Sequence, residues 1–403
     1  MDPQRATNIK VIGLGGGGSN AVDRMIELGL DNVEFIAANT DLQALRKSLA
    51  PTKIQLGPDL TRGLGAGGKP EVGEAAARES ANDLRDALQG ADLVFLTAGM
   101  GGGTGSGSIA VAAEVARSVG ALAVAVVTMP FTFEASRRQQ NAQASLLKLR
   151  AQADTLVTVP NDKLLGLLPK STTFELSLRV ADEVLRQGVQ GITELISRPG
   201  LINTDFANIR ALMEVAGPSM MAIGQGAGEH KAVKAVRQAL QMPLLDLKSV
   251  GGATGVLVHF TGGEDLALFE VSQAASEIST ASPNAEVIFG ATIDPAYAGR
   301  AQVILVVTGI ETQAFEGVRT DLAFRRPITA TLRAAEPTAE ETRRSSAAQG
   351  DLAEALFSQA VAAADKPADL RNPAPATASS APNLDLPAFL RRRRGSLGDV
   401  DGA

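Results

Sequence analysis

The chain has 403 residues, no cysteine, two histidines and a net charge of -6, with 45% hydrophobic and 20% charged residues. That is enough chain for two cores, in the composition of a globular protein. Disulfides, thiolate chemistry and Cys-ligated zinc are excluded, and the acidic balance argues against generic nucleic-acid binding. His230 and His259 are too few for a His-rich metal site or a Ser-His triad, and read as a solvated and a structural residue respectively. No apolar run approaches the ~20 residues that span a bilayer. The start MDPQRATNIK lacks a signal-peptide core, so a cytoplasmic protein is expected.

From Asn8 to Thr128, short apolar runs alternate with helical spacing. IKVIGL, VEFIAAN, ADLVFLTAG and ALAVAVVTMP read as buried parallel strands. SNAVDRMIELG, EVGEAAARESANDLRDALQG and GSIAVAAEVARSVG read as helices between them. The alternation predicts an α/β doubly wound, mostly parallel sheet with ligands at the carboxyl ends of its strands. TLVTVPN adds a strand ending in Asn161, and a long helix follows until Pro199-Gly200 stops it. SMMAIGQG, GVLVHFTGG, AEVIFGATID and QVILVVTGI, with two helical stretches, predict a second, smaller α/β domain with its own sheet.

The expected divisions are 1–173, a central helix 174–199, 200–311, a linker 312–383, a peptide 384–394 and a tail 395–403. The linker is rich in Ala, Pro, Ser and Thr and reads as disordered. Its typical end-to-end span is roughly 45–50 Å. The end regains apolar residues before four arginines, in Leu384, Asp385, Leu386, Pro387, Phe389, Leu390, Arg391 and Arg392, which reads as a docking peptide.

Glycine is concentrated after the strands. VIGLGGGGSNAV formally matches a dinucleotide fingerprint through Gly13, Gly15 and Gly18. The ribose-binding acid expected about 20 residues on is missing, since Glu34 comes too early and ANTD offers Asn39 before Asp41. That weakens a reading as an NAD-dependent oxidoreductase, and no P-loop motif is present. GGGTGSG, Gly101 to Gly107, opens a helix, so its amides and the helix dipole can close on an anion. Thr104 and Ser106 can donate hydroxyl hydrogen bonds, and GLGAGGKPEVG brings Lys69 and more free amides. Three such turns suit a triphosphate better than a pyrophosphate.

GGGTGSG resembles the signature loop of the tubulin/FtsZ family, and the likeness to its bacterial cell-division branch runs from Ile9 to Ile310 and returns at LDLPAFLRR. The resemblance implies a tubulin-like GTPase domain that binds GTP or GDP, with Mg²⁺ as the triphosphate's companion. It places Gly16, Gly17, Gly18 and Asn20 along the nucleotide, and Asn39 and Asp41 in the second nucleotide loop. Gly67 and Gly68 belong to the third turn, and Gly101, Gly102, Gly103, Thr104, Gly105, Ser106 and Gly107 cradle the phosphates. Glu134 and Arg138 contact the ribose and phosphate side; Asn161 and Asp182 read the guanine edge. Two departures stand out: Leu178 where a base-packing Phe is usual, and Lys69 where an Asn is common.

The resemblance further implies head-to-tail stacking of copies, in which a loop of one subunit completes the site of the next. The matching stretch is LINTDFANIR, with Asn203, Asp205 and Asn208 as its polar groups. Asn208 stands where a carboxylate is expected. General-base help is worth ~10²–10⁴ in rate, yet phosphoryl transfer depends mostly on positioning, so slow hydrolysis and long-lived filaments are expected. A non-hydrolysing scaffold filament is the alternative. Residues 384–394 would meet membrane adaptors and division-ring proteins at mid-cell.

Overall fold

Successive residues of the first strand, β1 (Ile9–Leu14), enter different cores: Ile9 and Val11 pack on one side of the sheet, Ile12 and Leu14 on the other. This is the signature of a strand buried on both faces. The computed structural model describes residues 7–310, apart from 167, 170–171, 198–204, 215–216 and 243–249. Asn203 and the docking peptide 384–394 lie outside the described residues.

In the first unit β1 leads to α1 (Gly15–Glu27), β2 (Glu34–Asn39), α2 (Leu42–Lys47), β3 (Thr52–Gln55) and α3 (Pro58–Thr61). Next come α4 (Pro70–Glu79), α5 (Ala81–Leu88), β4 (Leu93–Gly99), α6 (Thr104–Ser118), β5 (Leu122–Met129), α7 (Ser136–Gln152), β6 (Thr155–Pro160) and α8 (Asn161–Leu165). The central helix α9 (Phe174–Ser197) and α10 (Phe206–Glu214) lead to β7 (Gly217–Ala227), α11 (Lys231–Leu240), β8 (Gly255–Gly262), α12 (Leu268–Ala281), β9 (Glu286–Ile293) and β10 (Arg300–Thr308).

The strands expected to form a second sheet instead extend the first. All ten lie in the order β3-β2-β1-β4-β5-β6-β7-β10-β8-β9. The two units meet where β6 pairs in parallel with β7, through Thr155↔Gly217, Leu156↔Pro218 and Val157↔Ser219. Every pairing between the named strands is parallel except those of β10 with β7 and β8. So short a ladder is a weak joint, and α9 covers it. Val180, Val184, Leu185, Val189, Ile192 and Leu195 of α9 share one core with β1, β5, β7 and β10.

The stretch EVGEAAARESANDLRDALQG, expected as one helix, is two. Ser80 breaks it: its hydroxyl donates to the Gln55 carbonyl at 3.1 Å and accepts from the Gly57 amide at 3.0 Å. Serine's competition for backbone partners is the general cause. His230 is exposed in a left-handed turn with φ 56°. His259 is buried, its Nε2 3.2 Å from Glu194 of α9, where it ties the helix to β8.

Candidate functional site

A cleft of about 980 Å³ opens at the carboxyl ends of β1, β2, β4 and β5. It lies where β1 has β2 on one side and β4 on the other, so that successive connections leave the sheet in opposite directions. Such a switch point leaves a crevice that no crossover covers.

Two helices that start at this crevice, α1 and α6, begin without a capping side chain. Leu14 precedes α1 and Gly103 precedes α6, and neither offers a side-chain acceptor to the first turn. Their first N–H groups therefore have no intrahelical partner and carry the positive end of the helix dipole. By contrast Asp41 caps α2, accepting from the Gln43 and Ala44 amides at 2.9 and 3.0 Å. Asp41, which also lines the cleft, thus satisfies the first turn of α2.

Gly16, Gly17 and Asn20 line the cleft from α1, and Asn39 and Asp41 from the end of β2. Gly67 and Gly68 line it from the third turn, and Gly102, Gly103, Thr104 and Gly105 from the loop after β4. The Thr104 hydroxyl lies 2.6 Å from that of the buried Thr40, joining the second loop to the signature loop. Glu134 and Arg138 lie on the wall as an ion pair of 2.9 Å. The backbone between them bends through Ala135 at φ 86°, a region that L-residues rarely enter.

Four residues expected along the nucleotide are not part of the wall. Gly18 sits behind it, where a Cβ would fall 2.3 Å from the Thr97 carbonyl. Gly101 packs on the Arg138 backbone, and Gly107 on α4, with a Cβ position 2.0 Å from the Pro70 carbonyl. The Ser106 hydroxyl faces inward and accepts from the Gly101 amide at 2.7 Å. These positions shape the loop by allowing close packing. Lys69 is exposed outside the lining.

At the far end, Asn161 opens α8 and Asp182 projects from α9. Asn161 is 4% exposed, and its side-chain oxygen has no partner in the protein. A buried acceptor left open marks a place for a ligand donor. Burial pushes the Asp182 carboxyl up to about 7, against the opposing charges of Arg24 and Arg179. Leu178 also lines this end, so the wall is aliphatic where an aromatic ring was the expected pattern.

Two residues of the site, one on the wall and one behind it, have no place in the motifs above. Arg24 lines the cleft four positions after Asn20, on the same face of α1, and that spacing was the available signal. Asn141 of α7 donates to the Gly68 and Gly101 carbonyls at 3.3 and 3.4 Å, tying two glycine turns together. Nothing in its sequence neighbourhood marks it. Asp205 and Asn208 are exposed at the start of α10 and line no part of this cleft. Among the described residues, no group of three or more His, Asp or Glu could hold a metal ion, and no helix is long and apolar enough to cross a membrane.

Two stretches of the chain match models of known families. Residues 8–169 match the Tubulin/FtsZ family GTPase domain, and residues 217–311 match the FtsZ family C-terminal domain. An FtsZ dimer from M. jannaschii is 43% identical, covering 81% of this chain and 96% of that one, with a TM-score of 0.75. A point mutant of FtsZ from M. jannaschii is 46% identical over 76% of this chain and 92% of that one, with a TM-score of 0.73. A GTPγS-bound protofilament of CetZ2 from Haloferax volcanii shares the fold at 21% identity, with 77% and 96% coverage and a TM-score of 0.67.

Proposed function

The chain belongs to the tubulin/FtsZ family, and from that premise we propose that it binds GTP and GDP in this cleft, polymerises head-to-tail and hydrolyses GTP between subunits. The observation that carries the reading is the polarity of the cleft. One end is built of uncapped helix starts and glycine amides, the other of an open carboxamide oxygen and a carboxylate. A charged phosphate chain suits the first end. Guanine suits the second, because its N1–H and exocyclic amine both donate, whereas adenine presents an acceptor at N1.

The phosphates would meet the amides around Gly16, Gly17 and Gly102 to Gly105, with the Thr104 hydroxyl as a further donor. Arg138, held by Glu134, would add charge on the ribose and phosphate side. Mg²⁺ bound together with the triphosphate would supply positive charge against the phosphates. Asp182 and Asn161 would orient the base, and Leu178 would cover it.

Because Asp205 and Asn208 are exposed and away from their own cleft, their part in hydrolysis would be played on the next subunit, orienting the attacking water there. Asn203 belongs to the same stretch. Asn208 can hold a water but accepts no proton at neutral pH, which favours slow turnover and, as a second reading, a filament that does not hydrolyse. Head-to-tail contact is heterologous and makes open polymers. The role we assign is that of a division-ring filament of bacterial type, acting at mid-cell in the cytoplasm. Residues 384–394 would reach membrane adaptors, and Arg391 to Arg394 would favour acidic partners or anionic lipid.

Sedimentation with GTP, run beside phosphate release, tests this. Pelleting with release supports the hydrolysing filament; pelleting without release supports the scaffold. Failure to pellet or to bind GDP removes both. Asn208→Asp should raise turnover at least tenfold if a missing base limits the rate; an unchanged rate would remove that explanation.

A further inference from the structure

Thr40 follows β2 and Thr104 opens α6, and their hydroxyl oxygens lie 2.6 Å apart. Thr104 lines the cleft, whereas Thr40 is fully buried and has no place on the wall. Both residues are held through their backbones. The Thr40 carbonyl accepts from the Gly65 amide at 3.1 Å, and the Thr104 carbonyl accepts from the Ser108 hydroxyl at 2.7 Å. The contact therefore joins two fixed groups that lie 64 positions apart in the chain.

Each hydroxyl carries one proton and can accept twice. Only one of the two protons can lie between the oxygens, so the other needs an acceptor elsewhere. Among the described residues, neither hydroxyl has a second partner. If Thr104 donated, the Thr40 proton would be left inside the protein with no acceptor, a costly way to bury a polar group. If Thr40 donates, the spare proton is that of Thr104, which has the open cleft in front of it. Burial thus sets the direction of the bond.

We propose that Thr40 is a positioning residue for the phosphate end of the site: its buried hydroxyl donates to Thr104 and turns the Thr104 proton outward, toward an anionic oxygen. The inference rests on the guanine-nucleotide reading above. An O–H that accepts one hydrogen bond is polarised into a stronger donor for the next. The Thr104 proton is then already aimed when a phosphate arrives beside the uncapped start of α6. Without the Thr40 hydroxyl, that of Thr104 would turn freely, and the ligand would have to order it.

The experiment measures GDP affinity of the full chain by calorimetry in a double-mutant cycle. Thr104→Ala should weaken binding roughly 20-fold, through loss of a hydrogen bond to a charged group. Thr40→Val should weaken it about fivefold with Thr104 present, and by less than about twofold in the Thr104→Ala background. Thr40→Ser keeps the donor and should bind within about twofold of wild type. A role confined to packing predicts the reverse order, since valine keeps the buried methyl group that serine lacks. Thr40→Ala, read in the same cycle, stands in if the valine variant does not fold. Equal losses from Thr40→Val in both backgrounds, no loss in either, or a serine variant weaker than the valine one overturns the proposal and leaves the guanine reading standing. A wild-type chain that binds no GDP removes the guanine reading itself, and the proposal with it.

Discussion

The helix after β4 starts behind a glycine run with open space over Gly102, where an added Cβ meets nothing within 4 Å. The helix after β7 is different. There α11 lies so close on the strand that a Cβ on Gly224 would fall 2.0 Å from the Ala235 carbonyl, and one on Gly226 2.0 Å from that of Lys231. Both halves of one sheet thus spend glycine after or within their strands, the first to leave amides open and the second to let a helix approach. The same division recurs inside the signature loop, between Gly102 at the wall and Gly107 against α4. Glycine content alone therefore does not locate a binding site, because a glycine can serve close packing as readily as an open wall.

Substitutions can break this comparison, beginning with the largest expected effect. Gly224→Ala should push α11 off β7 and cost about 3 kcal/mol of stability, read as a lower Tm or lost soluble protein. A variant as stable as wild type would show that the close approach is not needed. Asn161→Ala should cost about 2 kcal/mol of GDP binding, roughly 30-fold, because the cleft loses the open acceptor proposed to meet the base. Its Tm without nucleotide should hardly move, since the side-chain oxygen has no protein partner to lose. Gly102→Ala should weaken GDP binding by about 1 kcal/mol at unchanged Tm, as its methyl enters the cleft and blocks amides rather than meeting protein.

The smallest effect sharpens the comparison instead. Ala135 carries a Cβ at φ 86°, a conformation that costs of order 1–3 kcal/mol away from glycine. Part of that gain is offset by the greater freedom of glycine in the unfolded chain. Ala135→Gly should therefore raise stability by about 0.5 kcal/mol, read from the urea midpoint. A loss would mean that the bend between Glu134 and Arg138 is not strained.

Much of the site was legible because its chemistry is local. An open-amide loop needs consecutive glycines before a helix, and that pattern survives in one dimension, as Gly16, Gly17 and Gly102 to Gly105 demonstrate. Gly18, Ser106 and Gly107 match the same pattern yet turn away from the wall, because sequence does not state which side of a turn faces space. Asn141 was missed for the opposite reason: its hydrogen-bond partners, Gly68 and Gly101, lie 73 and 40 positions away. The single sheet was missed too. Period and apolar runs identify strands, but the three-residue joint between β6 and β7 has no signature of its own.

Strand-helix alternation, the position of the glycine turns and the length of the central helix were all determined by the sequence alone, since each follows from backbone preference and the spacing of apolar residues. The tertiary structure alone decided that ten strands make one sheet, that Arg24 and Asp182 line one cleft, and which glycines face it. Those outcomes depend on distances between segments far apart in the chain, and on the burial and fields that arise once water is excluded between them.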